Sequence, residues 1–417
     1  MADIRPFSCI RPNEAVAARV AALPYDVYSR KEAKIQAAKD ELSFLNIDRP
    51  ETQFDETVDM YAPEVYEKAK ELLEQRMEDG TFLTDKEDCY YVYELTMNGR
   101  TQTGIAACAS IDDYQNGMIR KHENTREEKE QDRIRHVEAL NMQTGPIFLA
   151  YRTSSELRQI REAVKKDRPL YDFVSEDGVR HRVFRIGDAD RIKRVREAFL
   201  AMDHLYIADG HHRAASAVKA GLRRRREHPE YTGQEEFNYF LCVLFPEEEL
   251  TILPYNRVVR DLNGYTKEEF LSRVRECFTV KECGGNPVEP DRKGVFGLYL
   301  EGSWYRLEAP KELMNASDPV DRLDVSILQD FLLGPVLGIG DPRTDPRIDF
   351  SGGIRGLSEL EKRVNQGMGA AFSMYPTSIQ ELFWVADAGR LMPPKSTWFE
   401  PKLRSGLFLH SLEEIVR

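Results

Sequence analysis

The chain has 417 residues, of which 41% are hydrophobic and 31% charged, and a formal net charge of −12. That length exceeds one ordinary hydrophobic core and predicts two domains, with the composition of a globular rather than a disordered protein. The acidic balance argues against non-specific contact with DNA or an anionic membrane, both of which require a basic face.

In chain order, Ser29 with Glu32 forms a capping box, and a helix is predicted over Lys31 to Leu45. A second helix is predicted over Pro63 to Met77, ending near Gly80. Tyr90 to Met97 and Thr103 to Ile111 read as strands joined by an Asn98-Gly99 hairpin turn. Thr125 with Glu128 reads as another capping box, opening a charged helix from Arg126 to about Met142. A strand at Ile147 to Tyr151 follows, then helices over Glu156 to Lys166 and Arg191 to Met202. The apolar Leu205 to Ala208 gives way to a helical run from Ala214 to Ala220, which ends in Arg223-Arg224-Arg225-Arg226, a basic helix terminus that complements the dipole. Strands are predicted at Tyr239 to Phe245 and around Leu250 to Pro254, and a helix over Gly264 to Phe278. A hairpin turns about Glu301-Gly302, and an amphipathic helix runs from Leu323 to Leu333 before Gly334-Pro335. Beyond it the chain is polar and rich in Pro and Gly. The alternation predicts a mixed α/β (α+β) architecture, divided into residues 1–235 and 236–417.

No apolar run is long enough to span a bilayer, and the segment containing Asp3 and Arg5 lacks the apolar core of a signal peptide. The six cysteines are scattered with no Cys-x-x-Cys pair, so they read as neither a zinc site nor a disulfide framework. The expectation is a cytoplasmic protein with reduced thiols. It acts on a small molecule without nucleic-acid or membrane partners, and a homo-oligomer is compatible with it.

The stretch richest in chemistry is Asp209-Gly210-His211-His212-Arg213, where strand passes to helix through a tight turn. Free amides and the positive helix end converge there on whatever anion is bound, and Arg213 offers a forked grip on phosphate or carboxylate. Asp209 reads equally as helix N-cap, magnesium ligand or base. His211 and His212, adjacent on a helix, diverge by about 100° and so do not hold one metal together. Asp26, after the rigid Pro24, is a turn residue or a carboxylate able to take a proton from a hydroxyl. His122, Glu123 and Thr125, behind Arg120 and Lys121, form a second basic and acidic cluster before a helix start. Lys395-Ser396-Thr397 lacks the glycine spacing of a phosphate-binding P-loop but can still contact an anion. Arg343 lies in Asp341 to Gly353, which reads as a surface or binding loop rather than a packed element.

Several stretches together resemble domain-of-unknown-function family 1015. They are Ile4-Arg5-Pro6-Phe7, Pro24-Tyr25-Asp26-Val27, Ser110-Ile111-Asp112-Asp113-Tyr114, His122-Glu123-Asn124-Thr125, Gly145-Pro146-Ile147-Phe148, Ala208 to Arg213, Asp341 to Asp345 and the tail from Pro393 to Phe408. The family looks related to the ParB/sulfiredoxin superfamily. The resemblance implies a ParB/sulfiredoxin-like N-terminal part that binds a nucleotide, and a second α/β part contributing loops to the site. Its nucleotide loop carries a Gly-x-x-Arg pattern, which Gly210 to Arg213 match. The superfamily includes free-serine kinases, which implies phosphoryl transfer to serine or a similar hydroxylated metabolite from ATP, ADP or pyrophosphate.

On that reading Asp26, His211 and Asp209 are catalytic. Gly210, His212, Arg213, Lys395, Ser396 and Thr397 hold the donor, and His122, Glu123, Thr125 and Arg343 hold the substrate. Asp209 or Asp113 holds Mg2+. No cysteine stands where sulfiredoxin needs one, so that activity is not implied. Two alternatives stand beside this reading: a non-catalytic nucleotide-binding regulator, and a metal-dependent hydrolase built on His122, His211, His212 and Asp209.

Overall fold

The computed structural model describes residues 1–414, which form a mixed α/β protein of two compact units. The first unit comprises residues 1–250 and the described residues from 401 on, and the second residues 251–400.

The first unit is built on a nine-stranded sheet of β1 (Ile4–Arg5), β2 (Tyr90–Met97), β3 (Arg100–Ser110), β4 (Ile119–Arg120), β5 (Ile147–Tyr151), β6 (Tyr171–Val174), β7 (Arg180–Ile186), β8 (Leu205–Asp209) and β9 (Tyr239–Pro246). Their order is β4-β8-β5-β9-β3-β2-β7-β6, with β1 paired to β3. Asn98 and Gly99 both take positive φ, 51° and 77°, the conformation a two-residue hairpin between β2 and β3 requires. β9 is buried along its whole length, as a central strand covered on both faces must be. Ile105, Leu149, Ile207 and Leu244 from the sheet pack with residues of three helices, α3 (Ser155–Val164), α4 (Ala189–Leu200) and α5 (His211–Glu227). A separate core gathers Val20, Phe44 and Phe82 around α1 (Arg30–Ala37) and α2 (Pro63–Glu78).

The second unit holds a six-stranded sheet, with Tyr255–Val259 between Ala370–Ser373 and Ile348–Gly352. Val258, Tyr299, Trp304, Leu360 and Ala371 form its core. No helix among the described residues is long and apolar enough to cross a membrane, and all six cysteines are free.

Several predicted elements differ in the structure. The division at 235/236 falls just before β9, which belongs to the first sheet between β5 and β3, and the last stretch of chain returns to the first unit. The helix expected to reach Leu45 stops at Ala37. Asp40 Oδ1 accepts from the Leu42 amide at 2.9 Å, and the Asn46 side chain donates to the Asp40 and Ser43 carbonyls at 3.1 and 3.2 Å. Such short polar side chains offer the backbone an alternative to helix. The expected Thr125 box does not form. The helix there, Glu127–Leu140, has Arg126 at its N-cap with no side-chain cap. Asp341 to Gly353 is not all loop, because Ile348–Gly352 pairs with Tyr255–Val259 as a strand. The polar C-terminal stretch also supplies the strand Ala370–Ser373 and the helices Gly356–Asn365 and Ile379–Asp387.

Candidate functional site

The site lies at the sheet edge where β8 ends and β5 and β9 begin. Asp209 is the last residue of β8, and Gly210, at φ 91° and ψ 33°, starts α5. Glycine takes this left-handed backbone at no steric cost, so the turn can be sharp. Asp209 does not cap the helix. Its Oδ1 accepts from the Gly210 amide at 2.8 Å, and the first turn of the 17-residue α5 carries no side-chain cap. Its leading N–H groups and dipole therefore present a positive end.

Arg213 folds back over the turn. Its Nη1 donates to the Pro146 carbonyl, and its Nε is buried with no partner. The guanidinium lies so close that a Cβ added at Gly210 would stand 3.0 Å from Nη2. Lys402 Nζ binds Asp209 Oδ2 at 2.8 Å. Burial pushes the Asp209 carboxyl up, but the Lys402 ammonium and the Arg213 guanidinium outweigh it and hold the group well below the usual range. Asp209 is thus ionised with both oxygens engaged, which suits holding the turn and Lys402 better than taking a proton.

One cavity adjoins this turn, and a second shares two lining residues with the first. The first, of about 40 Å³, is lined by Arg213, Tyr25, Arg133, Asp48, His136 and Thr144, among others. The other, of about 180 Å³, is lined by Tyr25, Asp26, Arg49, Glu51, Lys129 and Arg133, among others. Tyr25 and Arg133 belong to both, with the guanidinium carbon 4.0 Å from the centre of the Tyr25 ring. That pair lines both the chamber that holds Arg213 and the one reached by the exposed Asp26. Arg133 is tied to Asp132 at 2.8 Å, and Arg49 to Glu51 at 2.5 Å.

Beside the turn stand His122, Glu123 and His211. Because β4 runs parallel to β8, the chain just past β4 is carried alongside the end of β8, and His122 hydrogen-bonds the backbone of Ile207. The two imidazoles meet edge to face at 4.5 Å between ring centres, and His211 Nδ1 lies 3.9 Å from Glu123 Oε2. Burial pushes His122 down to about 4. Burial, then the neighbouring His122, holds His211 well below its ordinary value, so both rings are neutral at pH 7.

The other predicted site residues fall elsewhere. His212 Nε2 accepts from the Arg126 amide at 3.0 Å, and Thr125 Oγ1 donates to Glu130 Oε2 at 2.6 Å; both contacts tie down the start of the Glu127–Leu140 helix. Asp113 Oδ2 accepts from the Asp3 amide at 2.7 Å, and its carboxylate also takes a hydrogen bond from Asn116. Of the two residues expected to hold Mg2+, Asp209 has its oxygens on Lys402 and Gly210, and Asp113 accepts from the backbone of Asp3 at the N-terminal strand. Arg343, Lys395, Ser396 and Thr397 belong to the second unit. There Arg343 pairs with Asp341 at 2.7 Å, Lys395 Nζ lies 5.5 Å from the Tyr255 ring centre, Ser396 Oγ donates to the Pro393 carbonyl, and Thr397 precedes the strand Trp398–Phe399. Sequence reasoning missed Lys402, Tyr25, Arg49 and Arg133. Arg133 sits in a run of charges that reads as a solvated helix face, and only burial distinguishes it.

The family model described as "Protein of unknown function (DUF1015)" matches residues 4–326. A search of curated proteins gives no match. Among solved structures, a free serine kinase in complex with AMP aligns over 74% of this chain and 91% of its own, at 14% identity and a TM-score of 0.38. A conserved hypothetical protein from Pyrococcus furiosus aligns over 74% and 95%, at 13% identity and a TM-score of 0.35. SbnI with a C-terminal truncation, from Staphylococcus aureus, aligns over 75% and 90%, at 12% identity and a TM-score of 0.41. Scores this low assign no activity to this chain.

Proposed function

The chain belongs to the DUF1015 family, and from the geometry of its Gly210 turn we propose that it transfers a phosphoryl group to a small hydroxylated metabolite, with free serine the leading acceptor. The observation that carries this reading is Arg213, a half-buried side chain whose Nη1 is held by one backbone carbonyl and whose buried Nε is unpartnered, at the uncapped N-terminus of a long helix. A half-buried cation left short of hydrogen-bond acceptors is well matched to a bound phosphate.

In this reading the α5 amides and Arg213 hold the donor phosphates of ATP, ADP or pyrophosphate. The acceptor lies in the chamber of about 180 Å³, a size suited to a small metabolite. Its hydroxyl oxygen attacks the terminal phosphorus, the bond from phosphorus to the leaving oxygen breaks, and Asp26 takes the hydroxyl proton. Asp209 positions Lys402 as a second cation beside the turn. Such catalysis consists mostly of positioning and charge neutralisation.

Phosphorus NMR of the protein with serine and each donor tests the reading. A phosphoserine resonance from the wild type is expected. Arg213→Ala should lower kcat/KM by roughly 10²–10³-fold, the loss typical of removing one fixed charge-stabilising donor, while circular dichroism stays native. No phosphorylated product with any donor, or an unchanged kcat/KM in Arg213→Ala, would overturn it.

A further inference from the structure

We propose that His122, Glu123 and His211 together bind one borderline divalent transition-metal ion of the zinc class. Each residue offers one ligand atom, and the three atoms lie within 4.8 Å of one another. Two further observations point to a ligand. His122 Nδ1 and His211 Nε2 are buried and have no hydrogen-bond partner. Buried polar atoms are normally satisfied, and an unsatisfied nitrogen on each of two touching imidazoles asks for a shared partner. The hydrogen bond from His122 to the Ile207 backbone uses its other nitrogen, Nε2, because Nδ1 is the one left over. A ring N–H donated to a backbone carbonyl fixes the tautomer and leaves the lone pair of the opposite nitrogen for a metal, the usual outer partner of a ligating histidine.

The donor set selects the ion. Two imidazoles and one carboxylate suit zinc or its first-row neighbours, whereas Mg2+ prefers oxygens and retained waters. Zinc–nitrogen bonds of about 2.0–2.1 Å in a tetrahedron put ligand atoms roughly 3.3 Å apart, so small side-chain rotations close the present spacing. The Glu123 side chain is 38% exposed, which leaves the ion an entry path and a fourth position for water or a substrate oxygen. Adjacent His211 and His212 do not make the site. His122 comes to His211 through the parallel pairing of β4 with β8.

The test uses the full chain without a histidine tag, stripped with chelator and dialysed against Zn2+, Mn2+ or Mg2+ with no nucleotide present. Metal content is read by mass spectrometry, and Co2+ substitution by visible absorption. One equivalent of zinc per chain is expected, with no retention of Mg2+. His122→Asn should lose the zinc. Glu123→Gln, at a half-exposed position that should not disturb folding, should bind at least roughly 10-fold more weakly. His228→Ala, at the far end of α5, should bind as the wild type does. Substoichiometric zinc in the wild type, or wild-type affinity in Glu123→Gln, would overturn the site. Because no nucleotide is present, that result is separate from the outcome for Arg213→Ala.

Discussion

Replacing Gly210 by Ala perturbs the turn in two ways. Gly210 has φ +91°, where an L side chain costs about 1–2 kcal/mol. The new Cβ would also stand 3.0 Å from Arg213 Nη2 and 3.1 Å from Cζ and Nε, tighter than ordinary contact. A guanidinium is the far end of a flexible side chain, so it yields, and in yielding it strains or drops its bond to Pro146. Water recovers part of that loss, so the sum is near 2 kcal/mol. For a unit of this size, that is a fall in Tm of roughly 4–8 °C. Displacing Arg213 from the phosphate position should weaken the donor by a similar 2 kcal/mol, or roughly 30-fold. Thermal unfolding and calorimetric titration with ADP read the two effects separately. Gly210→Asn tolerates the left-handed backbone but still carries a Cβ. It should recover most of the stability and little of the affinity. Wild-type melting and wild-type ADP affinity in Gly210→Ala would refute both the strained turn and the role of Arg213 beside it.

Asp26→Asn should keep donor affinity and lower turnover by roughly 10²–10⁴-fold, measured as phosphoserine formed per unit time; unchanged turnover would remove Asp26 as base. In the second unit, burial pushes the Asp324 carboxyl up to about 7, against the two contacts it accepts from the Gly294 amide. The folded state therefore binds a proton that the unfolded state has released between about pH 4 and 7. Stability should fall as pH rises through that window, by up to about 1.4 kcal/mol per pH unit, and level off above it. Urea melts across pH should show this slope and its loss in Asp324→Asn. Gly221→Ala should destabilise despite alanine's better helix propensity, because the new Cβ would collide with the Phe237 carbonyl oxygen and stand 2.9 Å from Ile111. The expected cost is about 1–3 kcal/mol by chemical denaturation, and a stabilised variant would contradict that packing.

Short-range chemistry was legible in the sequence. The Asn98-Gly99 hairpin, the Ser29–Glu32 capping box and the strand–turn–helix at Asp209-Gly210 all stand in the structure, because each is decided by neighbours a few residues apart. The mixed α/β class followed from the alternation of such elements. Long-range pairing was not legible. Lys402 reaches Asp209 across 193 residues, and His122 reaches His211 only because β4 lies parallel to β8. Nor could composition distinguish the buried Arg133, stacked on Tyr25, from the solvated arginines around it in the chain. A charged residue on a helix looks the same in sequence whether it faces water or a cavity; strand order and burial decide which. The sequence alone therefore determined where the strand passes through a glycine turn into helix, and the tertiary structure alone decided which distant cations, carboxylates and imidazoles surround that turn.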